Sequence, residues 1–209
     1  MAAENGRNGH NGEDAGRKAL RSDAAGRVYG KHGGFRHLKA YQVADMLYDY
    51  TCRFCDRYIP VKDRHHDQMV QAARSGYQNI AEGSEDSATS RKLEMNLTNV
   101  AKSSLGELER DYRKYLTRRK LSVWEPGDLL FEEARALQPQ TVEDAAAWVN
   151  RVRETRAERA ANLGAILAAQ AHYLTERLLD RQARDFEGKG GFAERLYKAR
   201  TTRNPSEPQ

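Results

Sequence analysis

The chain has 209 residues, 31% of them charged and 39% hydrophobic, with 5 Pro, a formal net charge of +5 and a pI near 9.2. That length suits one domain with terminal extensions, and a charged, Pro-poor composition with few β-branched runs points to long amphipathic helices rather than sheets. No apolar run reaches the roughly 18 residues that cross a bilayer, no signal-peptide core follows Met1, and two Cys without a secretion signal suit a reducing cytoplasm.

Residues 1–33 carry seven Gly and almost no large apolar side chain. They bury too little surface to offset ordering entropy and read as a disordered leader. The first helix is predicted over 37–59, stopped by Pro60. Its stripe is Leu38, Tyr41, Ala44, Leu47, Tyr48, Thr51, Phe54, Cys55 and Tyr58, at three- and four-residue spacing. A second helix over 63–82 carries Met69, Ala72, Ala73, Gly76, Tyr77 and Ile80, small in the middle. SEDSATS supplies a turn and a cap. The third helix, over 91–119, is expected to bury Leu93, Leu97, Val100, Ala101, Ser104, Leu108, Tyr112, Tyr115 and Leu116.

LSVWEPGD breaks the pattern, and a short helix is predicted over 128–137, ended by Gln138 and Pro139. Thr141, with Asp144 three residues on, resembles a capping arrangement for a last helix over 142–186, with room for one break. Its stripe is Ala145, Val149, Val152, Leu163, Ile166, Leu167, Tyr173, Leu174 and Leu178, and GKGG at 188–191 stops it. The fold expected is all-α: an antiparallel four-helix bundle over 34–186 with a C-terminal helical extension, the basic segment and tail of residues 187–209.

No reactive constellation emerges. Adjacent side chains on a helix diverge by about 100°, so His65, His66 and Asp67 make a poor metal site, and no matched ExxH pair accompanies them. Cys52 and Cys55 form CRFC, but no second pair and no preceding strand support zinc or redox chemistry. Phosphate-binding loops, dinucleotide fingerprints and nucleophile elbows are missing from the sequence. We therefore expect no enzyme, no metal and no cofactor.

Basic residues are the live signal. RDYRKYLTRRK places Arg110, Arg113, Lys114, Arg118, Arg119 and Lys120 within eleven residues, and the last part of the chain adds Arg177, Arg181, Arg184, Arg195, Lys198 and Arg200. Arg offers bidentate phosphate contacts and Lys a mobile point charge. Glu107, Glu109 and Asp111 lie among the first cluster, so charge alone leaves a nucleic-acid interface and a solvated helix face both open. Tyr112 and Tyr115 continue the apolar stripe and read as core.

The stretches FRHLKAYQVADMLYDYT, QMVQAARSGYQNIAEGS and KLEMNLTNVAKSSLGELERDY resemble the four-helix-bundle proteins encoded in intervening sequences of bacterial 23S rRNA genes. The related accessory variability protein of diversity-generating retroelements shares that fold. The region from ANLGAILAAQAHYLTERLL to FAERLYKAR resembles the suffix extension of one subgroup. Two departures stand out: Gly76-Tyr77 replaces the usual Ser-Ile before NIAEG, and Ser103-Ser104-Leu105-Gly106 precedes ELE.

The resemblance implies a homo-oligomer, a pentameric ring favoured, with a basic surface that binds RNA or DNA. A reverse transcriptase is the implied partner, without catalysis by the chain itself. It makes Ser75, Gly76, Asn79, Glu82, Gly83, Ser104, Glu107 and Glu109 structural residues. Ser75 and Gly76 are expected to allow close helix approach. Asn79 and Glu82 should bond to a neighbouring helix or the following turn, and Gly83 should end its helix in a left-handed conformation. The rival reading is a protein-interaction scaffold whose charge serves solubility.

Overall fold

The computed structural model describes residues 34–87, 89–152 and 155–189; the expected leader and the basic tail lie outside them. The described residues are all-helical: a 3-10 turn Phe35–His37, then α1 Lys39–Tyr58, α2 Arg64–Asp86, α3 Arg91–Arg118, α4 Leu129–Ala136, α5 Val142–Val149 and α6 Arg156–Lys189. None of these helices is long and apolar enough to cross a membrane.

Local chemistry explains the boundaries. The Asp63 carboxylate accepts from the His65 N–H at 3.0 Å and starts α2, and the Ser90 hydroxyl accepts from Leu93 N–H at 3.2 Å and starts α3. Thr141 and Asp144 form the reciprocal capping box at α5. Hydrogen bonds from the Thr141 hydroxyl and backbone hold the Asp144 carboxyl below its ordinary range. α3 ends in a Schellman arrangement, with Leu121 N–H on the Leu116 carbonyl at 3.0 Å and Lys120 N–H on Thr117 at 3.2 Å. Lys120 takes the left-handed position (φ 56) that glycine usually fills.

The four long helices pack α1 on α2 and α6, and α3 on α2 and α6. Contacts along α3 and α6 advance in opposite senses. Glu94 meets Gln182, Lys102 meets Glu176, the Gly106 backbone meets His172, and Ser122 just beyond α3 meets Asn162. Asn162 also accepts from Trp124 N–H at 2.9 Å and so pins the 119–128 connection onto the start of α6. Between the helices lie Leu47, Phe54, Met69, Ile80, Leu105, Leu108, Tyr112, Leu163 and Leu167, all buried.

The break allowed for in the last helix is present, and two other expectations are corrected. The last predicted helix is two, α5 and α6, because α5 turns aside to lie on α1; there, Val149 lines the same crevice as Tyr50 and Phe54. Arg159 Nη2 clamps the turn by donating to the Trp148 carbonyl at 3.3 Å while stacking over that indole. Neither Pro nor Gly marks this break. The early part of α3 is rotated from its expected register: Leu93 and Val100 are exposed, while Glu94, Thr98 and Leu105 face inward. Buried Glu94 is tolerated because Arg91 reaches it at 2.7 Å and Gln182 at 3.1 Å. In α6, Val152 precedes the helix and is exposed and Tyr173 points outward at 58% exposure, while Leu163, Ile166, Leu167 and Leu178 are buried as expected and are joined by Ala160, Ala161, Ala168 and Ala171.

Candidate nucleic-acid interface

The RSGYQNIAEGS stretch sits where α2 meets α3. The Ser75 and Ser104 hydroxyls share a hydrogen bond of 2.9 Å across the two helices, and Asn79 Nδ2 donates to the Ser75 carbonyl at 2.8 Å and its hydroxyl at 3.0 Å. Gly76 is buried, and a Cβ there would lie 2.7 Å from a Leu105 methyl. Three expectations fail. Asn79 bonds back to Ser75 within α2 rather than to a neighbouring helix or the following turn. Gly83 does not end its helix: it sits inside α2, where a Cβ would come within 3.1 Å of the Glu94 carbonyl, and the helix continues to Asp86. Close approach, rather than a left-handed turn, is what requires glycine there. Glu82 faces solvent and forms no hydrogen bond or ion pair among the described residues, because its position on α2 is turned away from α3. We expect Glu82→Ala to change stability by less than about 0.5 kcal/mol in thermal unfolding; a large drop in melting temperature would restore the cross-helix role.

The basic residues separate into two groups. Arg110–Lys120 lie near the end of α3, level with the start of α6, whereas Arg177, Arg181 and Arg184 lie level with the start of α3. With 1.5 Å of rise per residue the groups are roughly 25 Å apart along the helix axes. Arg195, Lys198 and Arg200 lie outside the described residues.

The first group is partly consumed by the fold. Arg113 bridges Glu125 at 3.0 Å and Glu109 at 3.4 Å. Arg119 donates to the Tyr58 carbonyl at 3.0 Å and lies 4.1 Å over the Tyr115 ring. Arg110, Lys114 and Arg118 are exposed along one face of α3, next to Glu107 and the half-buried Asp111. Burial raises the Asp111 carboxyl, against the lowering influence of His65, and Glu107 raises it further.

The second group is joined by residues that the sequence reading did not single out. Phe35 is buried and packs edge-on to Tyr41 at 4.7 Å, which turns Arg36 and His37 outward just before α1. Gln42 fixes the turn by donating to the Arg36 carbonyl at 2.8 Å. His37 and Lys39 then face Arg177 and Arg181 across a cleft floored by Leu38, Leu174 and Leu178, with no carboxylate among its lining residues. Lys39, Arg177 and Arg181 form no ion pair among the described residues. The signal was present in the string FRHLK: α1 begins without a side-chain cap and without an acidic residue in its first turn. Cations there oppose the helix dipole, a local cost that sequence chemistry alone does not justify.

The other candidates are structural. His66 bridges Asp56 and Asp67, each at 3.3 Å, and His65 Nδ1 stands 4.0 Å from Asp111. No group of three or more His, Cys, Asp or Glu among the described residues is placed to hold a metal ion. Cys52 and Cys55 are free, and burial pushes the Cys55 thiol up to about 12, which keeps it protonated. Compared with protein-family models, curated proteins and solved structures, the chain matches none.

Proposed function

We propose that this protein is a non-catalytic, oligomeric accessory protein that binds nucleic acid, RNA in preference to DNA, on an antiparallel four-helix bundle with a C-terminal helical extension. The cleft lined by His37, Lys39, Arg177 and Arg181 carries this reading, since it gathers side chains from the start of the first helix and the last helix with no carboxylate among its lining residues. Phosphates are the natural counter-charge for such a group. The basic sequence after α6, with Arg195, Lys198 and Arg200, adds to the same end of the chain order. The two free thiols suit a cytoplasmic setting.

Leu93 and Val100, two turns apart on α3 and both exposed, support self-association, and the family resemblance favours a pentamer. The NIAEG and ELE motifs support kinship with the 23S rRNA intervening-sequence family. They also support a reverse transcriptase or another RNA-processing enzyme as partner. The competing reading, a protein-interaction scaffold, draws on adjacent Leu129 and Leu130, 90% and 38% exposed on α4.

Binding of structured RNA, followed by fluorescence anisotropy at about 50 and 200 mM salt with light scattering on the same samples, tests the proposal. A multimer whose affinity falls steeply with salt is expected. Salt-insensitive or absent binding favours the scaffold, and a monomer removes the oligomer.

A further inference from the structure

Tyr173 is the exposed aromatic side chain of the basic face of α6: Arg177 and Arg181 follow it at four-residue intervals, hence along one side of the helix. Beside it opens a cleft of about 350 Å³ between α6, α1 and the 138–140 connection. Val43, Leu167 and Leu174 line its apolar surface, and Gln140 and Gln170 bring amide groups to it. Those amides are held in place, Gln170 Nε2 on the Arg135 carbonyl at 3.2 Å and Gln140 Nε2 on the Gln138 carbonyl at 2.9 Å. Lys39 and Leu174 line this cleft and also the basic cleft of Arg177 and Arg181, so the two adjoin.

We infer that Tyr173 and this cleft take an unpaired nucleobase, so that the nucleic acid held here is single-stranded; this rests on the nucleic-acid reading above. The arrangement matches what a single strand offers: a flat π-face for the Tyr ring, base edges for amide groups, and flanking phosphates for Lys39, Arg177 and Arg181. In a duplex the bases are paired and stacked, and none reaches a concave apolar cleft without being extruded at a cost of a few kcal/mol. The cations alone would serve either form; the aromatic beside an apolar cleft discriminates between them.

The test uses the full chain, with a short mixed-sequence single-stranded RNA and the corresponding duplex as probes in fluorescence anisotropy. Tyr173→Ala is expected to weaken single-strand binding by about tenfold, with duplex binding and the salt slope unchanged, and Tyr173→Phe to stay within about twofold of wild type. Because Tyr173 is exposed, neither substitution opens the core; circular dichroism of both variants checks this. Undiminished single-strand binding by Tyr173→Ala, or an equal loss for the duplex, overturns the inference while leaving the phosphate contacts standing. If the wild-type protein binds neither probe, the nucleic-acid reading fails and takes this inference with it.

Discussion

Replacing Arg177 and Arg181 together by Glu is expected to lower affinity for RNA by about two orders of magnitude and to reduce the salt slope by about 2. Each cation that contacts a phosphate releases condensed counterions, so its removal weakens binding uniformly across sequences and flattens the salt dependence. The added carboxylates would sit in the same cleft as Lys39 and offset its charge as well. Both arginines are exposed and neither forms an ion pair among the described residues, so the fold has little reason to respond. Reversal of Lys114 and Arg118, exposed on α3, is the matched control and is expected to cost much less. Arg113 and Arg119 are poor controls. The first is held by Glu109 and Glu125 and the second by the Tyr58 carbonyl, so changing them would disturb packing as well as charge. If the Arg177/Arg181 variant binds RNA like wild type, the proposed interface is in the wrong place. If the Lys114/Arg118 variant shows the larger loss, the end of α3 is the binding end.

The second large effect concerns the fold that positions this surface. Gly164→Ala is expected to destabilise the protein by roughly 2 kcal/mol, although Ala is ordinarily the better helix residue by about 1 kcal/mol. A Cβ at position 164 would lie 2.8 Å from Tyr112 Cδ1 and closer still to Cε1 and Cζ. The ring has nowhere to go: it is fully buried, its hydroxyl donates to Thr51 Oγ1 at 3.0 Å, and its edge packs on Phe54 with centroids 4.9 Å apart. Relief requires α6 to move away from α3, which loosens the interface along its length. Gly76→Ala is the instructive contrast, because the obstacle there is the flexible end of Leu105 rather than an aromatic ring tied at both ends. Thermal unfolding of the two variants measures the difference; a melting temperature for Gly164→Ala at or above wild type would show that α6 shifts freely.

Much of the helical layout was legible in the chain. Pro60, Asp63, Ser90 and the Thr141–Asp144 pair act through bonds to near neighbours, so their effect is readable without tertiary information. The stripe of α1 was readable for the same reason, since its apolar residues recur on one face and that face is the one that is buried.

Apolar periodicity misled at a few positions. Leu93, Val100 and Tyr173 fit a stripe by spacing, yet they are exposed, and near the start of α3 Glu94 and Thr98 are buried instead. A polar side chain is admitted to the interior once a partner from elsewhere satisfies it, and Gln182 lies 88 residues from Glu94. A break in the last helix was expected, but its place was not readable, because Arg159 clamps it onto Trp148 and neither Pro nor Gly marks it.

The sequence by itself determined the helical class, most helix ends and the surplus of positive charge, because these follow from local bonding and composition. Which cations are free was decided only by tertiary structure. Packing gave Arg113 and Arg119 partners in the fold and left Lys39, Arg177 and Arg181 without an ion pair among the described residues. It also brought together basic residues from the first and last helices, beside an outward-facing Tyr173. Proximity between residues more than a hundred positions apart depends on which helix faces bury each other, and no local pattern encodes that.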